Sequence, residues 1–261
     1  MRQIQATVAE RRTFGPALWE ISLHAPAGSG FRPGQFFLVA GPSYLRRALF
    51  PARCAPDGLS VLVKAAADPF IAWLASRMPG DPLDLIGPFG RGFVIPRRDE
   101  RWLLVAETAA DVGPLRQQIE LAIAAGAEVA LLTGATHTAA VFPVAELPPA
   151  LELRVATADG SRGVRGSVTA LLSDALPWAD HVAAVGTRSL YRALQREAQT
   201  TRPTLTGESL QVLVTDVPLV CGVGACLACA VHGEHGERGV HLVCREGPVF
   251  DLDAGLACEI P

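Results

Sequence analysis

No stretch of about 18 uninterrupted apolar residues occurs in the sequence, so nothing in it reads as a membrane-spanning helix. The nearest approach, 119–135, is broken by Glu120, Gly126, Glu128 and Gly134 and reads instead as a helix, a turn and a strand. The first twelve residues mix Arg, Gln and Glu with no apolar run, unlike a secretory leader. Positive charge is not in excess: 23 Lys and Arg stand against 26 Asp and Glu, a net charge of −3, which removes the electrostatic support a nucleic-acid partner would need. Repeats and low-complexity tracts are lacking. So are a catalytic triad, an activated nucleophile and a convincing acid–base pair, so substrate chemistry of the chain's own is not evident. These absences predict a soluble, cytoplasmic protein without direct membrane insertion.

What is present is a compact-protein composition, 49% apolar and 19% charged, over 261 residues, enough for two or three small domains. Residues 1–97 hold short apolar runs at 4–8, 18–23, 35–39, 59–64 and 83–86. Gly- and Pro-rich turns separate them, a pattern that predicts a small antiparallel β-barrel with one short helix at 71–78. Over 98–205 the period changes. Strands are predicted at 102–106, 129–133, 151–156 and 181–185, with helices at 114–125, 167–176 (Ser167 as its cap) and 189–198. That alternation indicates a parallel α/β sheet. Residues 206–261 carry most of the cysteines.

The six cysteines are not spread as in a secreted disulfide scaffold: four fall between 221 and 244. Their spacing, Cys221-x4-Cys226-x2-Cys229-x14-Cys244, is that of plant-type [2Fe–2S] ligation, with soft thiolates around two irons. A structural zinc site usually uses two separated C-x2-C pairs, and only one is present. Gly222, Gly224 and Ala225 keep the loop thin, and glycine tolerates the positive φ that turns successive N–H groups toward sulfur. Short apolar strands at 230–232 and 240–243, joined by the polar turn 233–239, predict a hairpin that returns Cys244 beside Cys229. His232, His235 and His241 read as bystanders near this turn, and Cys54 and Cys258 as ordinary small core residues.

Cys221-Gly-Val-Gly-Ala-Cys-Leu-Ala-Cys229, followed by Val243-Cys-Arg-Glu-Gly-Pro-Val-Phe250, resembles the electron-transfer subunit of dihydroorotate dehydrogenase B, within the ferredoxin–NADP reductase-like superfamily. Gly87-Pro-Phe-Gly-Arg-Gly-Phe93 and Asp159-Gly-Ser-Arg-Gly-Val-Arg-Gly-Ser-Val-Thr169 resemble two further segments of that family. The resemblance implies a barrel, a nucleotide-type α/β domain and a small C-terminal cluster domain (1–97, 98–205 and 206–261). It also implies FAD on the barrel, NAD(H) on the second domain, and a partner subunit that carries FMN and oxidises dihydroorotate.

Departures from the family pattern fall on the ligand contacts. The flavin motif Arg-Pro-x-Ser becomes Arg47-Ala-Leu-Phe50, which keeps the arginine and loses the hydroxyl. The motif Gly-x-Gly-Thr becomes Asp68-Pro-Phe-Ile71, an acid, a proline and a ring where a pyrophosphate would lie. Val63, Lys64 and Ala65 fall on the strand between, so the candidate FAD contacts are Arg47, Val63, Lys64 and Ala65, and any FAD is expected to be held more weakly than in the family. The Gly-Gly-x-Gly turn of the nicotinamide site becomes Ala106-Glu-Thr-Ala-Ala-Asp-Val-Gly-Pro-Leu115, and a later Cys-Gly-Pro becomes Val185-Gly-Thr187. Glu107 and Asp111 would meet the phosphates, which predicts little or no NAD(H) binding. The expected function is an electron-transfer subunit that relays electrons through the cluster, docked to a catalytic subunit through the surface around the cluster loop, where some of the apolar residues Leu219, Val220, Val223 and Leu227 must pack inside and the rest stay exposed. A complete NADH-dependent reductase and a structural subunit of a redox complex are the rival readings.

Overall fold

The computed structural model describes residues 2–14, 17–26, 30–232 and 240–257. Strand β1, Arg2–Thr13, turns Ile4, Ala6 and Val8 inward and Gln3, Gln5 and Thr7 outward, the period of two that a half-buried strand requires. It is joined by β2 (Leu18–His24), β3 (Phe36–Val39), β4 (Arg47–Leu49), β5 (Arg53–Ala55), β6 (Gly58–Lys64) and β7 (Pro82–Phe89). Together they form one antiparallel sheet in the order β4-β3-β7-β1-β2-β6-β5, the half-barrel of the expected class. Ile21, Phe37, Val39, Leu74 and Leu85 are fully enclosed in its core, each worth roughly 1.5–3 kcal/mol over an exposed position.

Helix α1, Pro69–Ala75, lies between β6 and β7 and buries Phe70 and Leu74 in the barrel. It starts and ends earlier than the expected 71–78. The Asp68 carboxylate caps it by accepting from the N–H groups of Phe70 (2.8 Å) and Ile71 (3.2 Å), and Pro69 supplies the preset φ of a first turn.

The second sheet is built from β8 (Arg101–Ala106), β9 (Glu128–Ala135), β10 (Glu152–Thr157), β11 (Val164–Arg165), β12 (His181–Val185) and β13 (Leu210–Leu213). Helices α2 (Arg116–Ala125), α3 (Leu172–Ala175) and α4 (Arg188–Thr201) connect them. The chain then forms a hairpin, β14 (Ala230–His232) with β15 (Val240–Leu242), a single turn α5 (Val243–Glu246), β16 (Val249–Asp251) and α6 (Leu252–Ala257). The sheet order is β11-β10-β9-β8-β12-β13-β16, parallel except for β16. Strand β8 is buried from Trp102 through Ala106, as a strand covered on both faces must be. Strands are added outward on one side of β8 as far as β11 and then on its other side from β12, so the strand order reverses between β8 and β12, the place where open α/β sheets hold ligands at their carboxyl ends.

One expected helix is different in kind. Residues 167–176 form a 3₁₀ turn (Val168–Leu171), the single turn α3 and a second 3₁₀ turn (Leu176–Trp178). Ser167 does not cap through a backbone N–H. Its hydroxyl pairs with Thr169 Oγ1 at 2.6 Å.

Sheet and half-barrel are joined by polar contacts. Arg116, at the start of α2, donates to Glu20 of β2 at 2.6 Å, with both side chains almost wholly buried. Ser60 donates to the same carboxylate. The Gln117 amide grips both the N–H (2.8 Å) and the carbonyl (3.1 Å) of Cys54, and Arg53 pairs with Glu120. Burial pushes the Cys54 thiol up to about 11; the side chain is part-buried on β5, packed against the barrel core. Cys258 lies outside the described residues.

Candidate functional site

Beyond β13 the chain leaves the sheet at Val214 and runs along the half-barrel. Val217 and Leu219 are buried in a core shared with Phe36, Leu38, Phe89 and Phe250, which anchors the loop 221–229 from its N-terminal side. The loop bends sharply three times. Gly222 and Gly224 take φ of +71° and +79°, and Leu227 takes +58° although it is not glycine. Gly222 rests on Phe89 so closely that a Cβ would lie 2.8 Å from the ring, and at Gly224 a Cβ would meet Arg245 at 2.6 Å. The thin backbone inferred from the sequence is therefore a packing requirement as well as a conformational one.

The four thiols fall into two pairs. Cys221 and Cys226 interact through their sulfurs, and Cys244 donates its backbone N–H to the Cys229 sulfur at 3.5 Å. The expected hairpin is what closes the second pair: β14 pairs with β15 in the register Ala230↔Leu242, and α5 places Cys244. Burial tends to raise the Cys221 thiol, but N–H groups of Cys226, Val223 and Ala225 aimed at its sulfur outweigh it and bring the thiol down to about 6. Burial, then the neighbouring Cys229 and more weakly Cys221, push Cys244 up to about 12, against the Gly224 N–H. Bound iron would supply the positive charge that favours the thiolate form of Cys244. Among the described residues no three Cys, His, Asp or Glu side chains converge as ligands of a single metal ion would. Two pairs are what a two-iron cluster asks for. His241 Nδ1 is engaged by Glu246 at 2.7 Å, in keeping with a bystander role. His232 lies on β14, and His235 with the turn 233–239 lies outside the described residues.

The candidate flavin contacts divide. Arg47 is exposed and paired with Asp68 at 2.9 Å, with its guanidinium 5.3 Å from the Phe70 ring centre. Val63 points into the barrel core. Lys64 and Ala65 are exposed at the strand end, and Lys64 is close enough to favour the ionised form of Asp111. Phe50, in place of a hydroxyl, is half-buried and packs on Phe36 at 5.9 Å between ring centres. Phe36 lies 5.6 Å from Phe89, which underlies Gly222. Three rings therefore connect the cysteine loop to the end of β4, a link between distant segments that spacing alone does not reveal.

At the carboxyl end of β8, Glu107 accepts from the N–H and, at 3.1 Å, from the hydroxyl of Thr187 at the start of α4. Asp111 accepts from the N–H (2.9 Å) and hydroxyl (2.8 Å) of Thr108, and its burial holds the carboxyl above the usual range. In the segment 159–169, Asp159 accepts from the Ser161 N–H at 2.9 Å, a turn closed on itself.

Residues 218–254 match the iron–sulfur cluster binding domain of dihydroorotate dehydrogenase B. Over 254 residues the chain is 33% identical to the dihydroorotate dehydrogenase B (NAD(+)) electron transfer subunit of Geobacillus kaustophilus, covering 94% of this chain and 95% of the relative. The chain belongs to the dihydroorotate dehydrogenase B electron-transfer subunit family. A relative from Streptococcus pneumoniae is 26% identical over 256 residues, covering 93% of this chain and 96% of its own. Among solved structures, an NADH-dependent reduced ferredoxin-NADP oxidoreductase superposes with a TM-score of 0.81 at 21% identity, over 95% of this chain and 88% of that one. The ferredoxin reductase of carbazole 1,9a-dioxygenase superposes with a TM-score of 0.64 at 20% identity, over 77% and 66%. These structures share the fold with the electron-transfer subunit family. Among the described residues no helix is long and apolar enough to cross a membrane.

Proposed function

We propose that the chain is the electron-transfer subunit of a dihydroorotate dehydrogenase B-like complex and relays electrons through a [2Fe–2S] cluster to or from a separate, flavin-bearing catalytic subunit. Cys221 and Cys226 would hold one iron and Cys229 and Cys244 the other. The paired thiols in a loop already bent for them carry the reading, and family membership supports it. The cluster supplies one-electron transfer. The loop supplies N–H groups to its sulfurs and a cover of Val217, Leu219 and Phe89 on one side. In functional terms the chain divides into a barrel at 1–97, a nucleotide-type region at 98–205 and a cluster region at 206–261, with β13 and β16 of the last built into the α/β sheet.

The family fold also implies FAD against the barrel, with Arg47, Val63, Lys64 and Ala65 as the candidate contacts. Its pyrophosphate end does not fit the chain as folded, because Asp68 already occupies Arg47 and the first N–H groups of α1. The purified protein should carry about two irons and two acid-labile sulfides per chain, and Cys226→Ser should lose most of the visible absorbance. Zinc in place of iron would defeat the reading.

A further inference from the structure

A dinucleotide phosphate would need free donors at the reversal point of the α/β sheet, and the resemblance to the family places a second such need at Asp68 on the barrel. Both places are filled by carboxylates of the chain. At the reversal point between β8 and β12, the Thr187 N–H and hydroxyl donate to Glu107, the Thr108 N–H donates to Asp111, and the Gly186 N–H donates to Tyr191 Oη at 3.1 Å. Tyr191 is itself fixed by donating to the Leu213 carbonyl at 2.6 Å. Glu107 crowds this turn so closely that a Cβ on Gly186 would lie 2.6 Å from its oxygen. On the barrel, Asp68 takes the N–H groups of Phe70 and Ile71 and the guanidinium of Arg47, whose hydrogen bond holds the Asp68 carboxyl below its usual range.

We propose that Glu107 and Asp68 are built-in occupants of the two phosphate receptacles, so that this subunit exchanges electrons with proteins and not with a pyridine nucleotide. The inference deepens the electron-transfer reading and rests on it. A phosphate entering either place must displace a carboxylate that is tethered, hydrogen-bonded and of the same sign. Either carboxylate alone is explained as ordinary capping. Two of them, at the two places where a phosphate would need donors, leave no free donor for an incoming anion among the groups named. The cluster carries one electron at a time, and the exchange follows it. A reduced one-electron carrier on a protein loses an electron, the oxidised cluster gains it, and the reverse passes it onward.

The test uses the full chain with its cluster reconstituted, titrated calorimetrically with NADH and, separately, with FAD. The wild type should show no saturable NADH binding into the millimolar range. Its cluster should bleach with dithionite and not with NADH. Glu107→Ala should bind NADH at least about tenfold more tightly, and Asp68→Ala should do the same for FAD, because each frees donors now held by a charged acceptor. Asp68→Asn keeps the helix cap while releasing Arg47, so a gain in FAD binding there survives any loss of folding in the alanine variant. Low-micromolar NADH binding by the wild type would overturn the proposal, and so would variants whose affinities stay at the wild-type value. The cluster spectrum is read in the same samples. A colourless protein would count against the four-cysteine reading, and a coloured one that binds NADH against this inference alone.

Discussion

Replacing Gly222 by alanine asks whether the cysteine loop is held by its packing on the half-barrel. The new methyl group would lie 2.8 Å from three atoms of the Phe89 ring, on a backbone with φ of +71°. Left-handed backbone costs an ordinary residue roughly 1–2 kcal/mol, and overpacking against a fixed ring roughly 1–3 kcal/mol. Phe89 cannot swing away, because it is buried and packed on Phe36. Gly222→Ala should therefore weaken loop closure by roughly 2–5 kcal/mol, a factor of about 25 to several thousand. The readout is the rate at which a chelator bleaches the visible absorbance of reconstituted protein, alongside iron content. Loss should be faster by at least an order of magnitude, with the far-ultraviolet spectrum unchanged. The double variant Gly222→Ala, Phe89→Ala separates the two terms: trimming the ring should recover the packing part and leave the backbone part. A Gly222→Ala protein that keeps both irons and bleaches at the wild-type rate would refute this account of the loop.

Other expectations follow from the same contacts. Arg116→Met leaves the buried Glu20 carboxylate with only Ser60 and a longer contact to Arg12 at 3.6 Å, and should cost roughly 1–3 kcal/mol in urea unfolding, most of it recovered when Glu20→Gln is added. Asp111 is held above the ordinary aspartate range by burial, so the cost of ionising it is present above that raised pKa and absent below an unfolded value near about 3.9. Asp111→Asn, which keeps an acceptor for Thr108, should raise the urea midpoint at pH 7, and the gain should vanish as the pH falls toward the unfolded value. Leu227 is 61% exposed at the tip of the loop and Val223 is 47% exposed beside it, so Leu227→Glu should keep the cluster spectrum and fail to co-purify with the catalytic subunit. Unchanged co-purification would place the interface elsewhere.

Much of this site was legible because it is local. The cysteine spacing, the glycines at 222 and 224 and the β14–β15 hairpin all act within about two dozen residues, and their conformations follow from residue type. The boundaries of α1 are also local, yet in sequence Asp68-Pro69 fits a worn flavin motif as well as a cap followed by a first-turn proline. The same two residues serve both descriptions. The broken helix at 167–178 was missed because Ser167 looks like a cap in sequence, while its hydroxyl finds Thr169 first. Contacts that join distant segments left no trace in the pattern. Glu20 and Arg116 are 96 positions apart, Glu107 and Thr187 80 apart, and a buried ion pair reads in sequence as two ordinary surface charges.

The segment 214–248 leaves the sheet at Leu213 and re-enters it at Val249, and these two residues are direct partners across the β13–β16 ladder. Its ends are thus brought together by the sheet rather than by the metal, so the entropy of closing a long loop is met before any iron arrives. Cluster assembly then meets a loop whose flanks, Val217, Leu219 and Val243, are already packed in one core with Phe36 and Phe89. A segment closed at its base by the Leu213–Val249 pair should be able to release its inorganic core without unzipping the ladder beneath it.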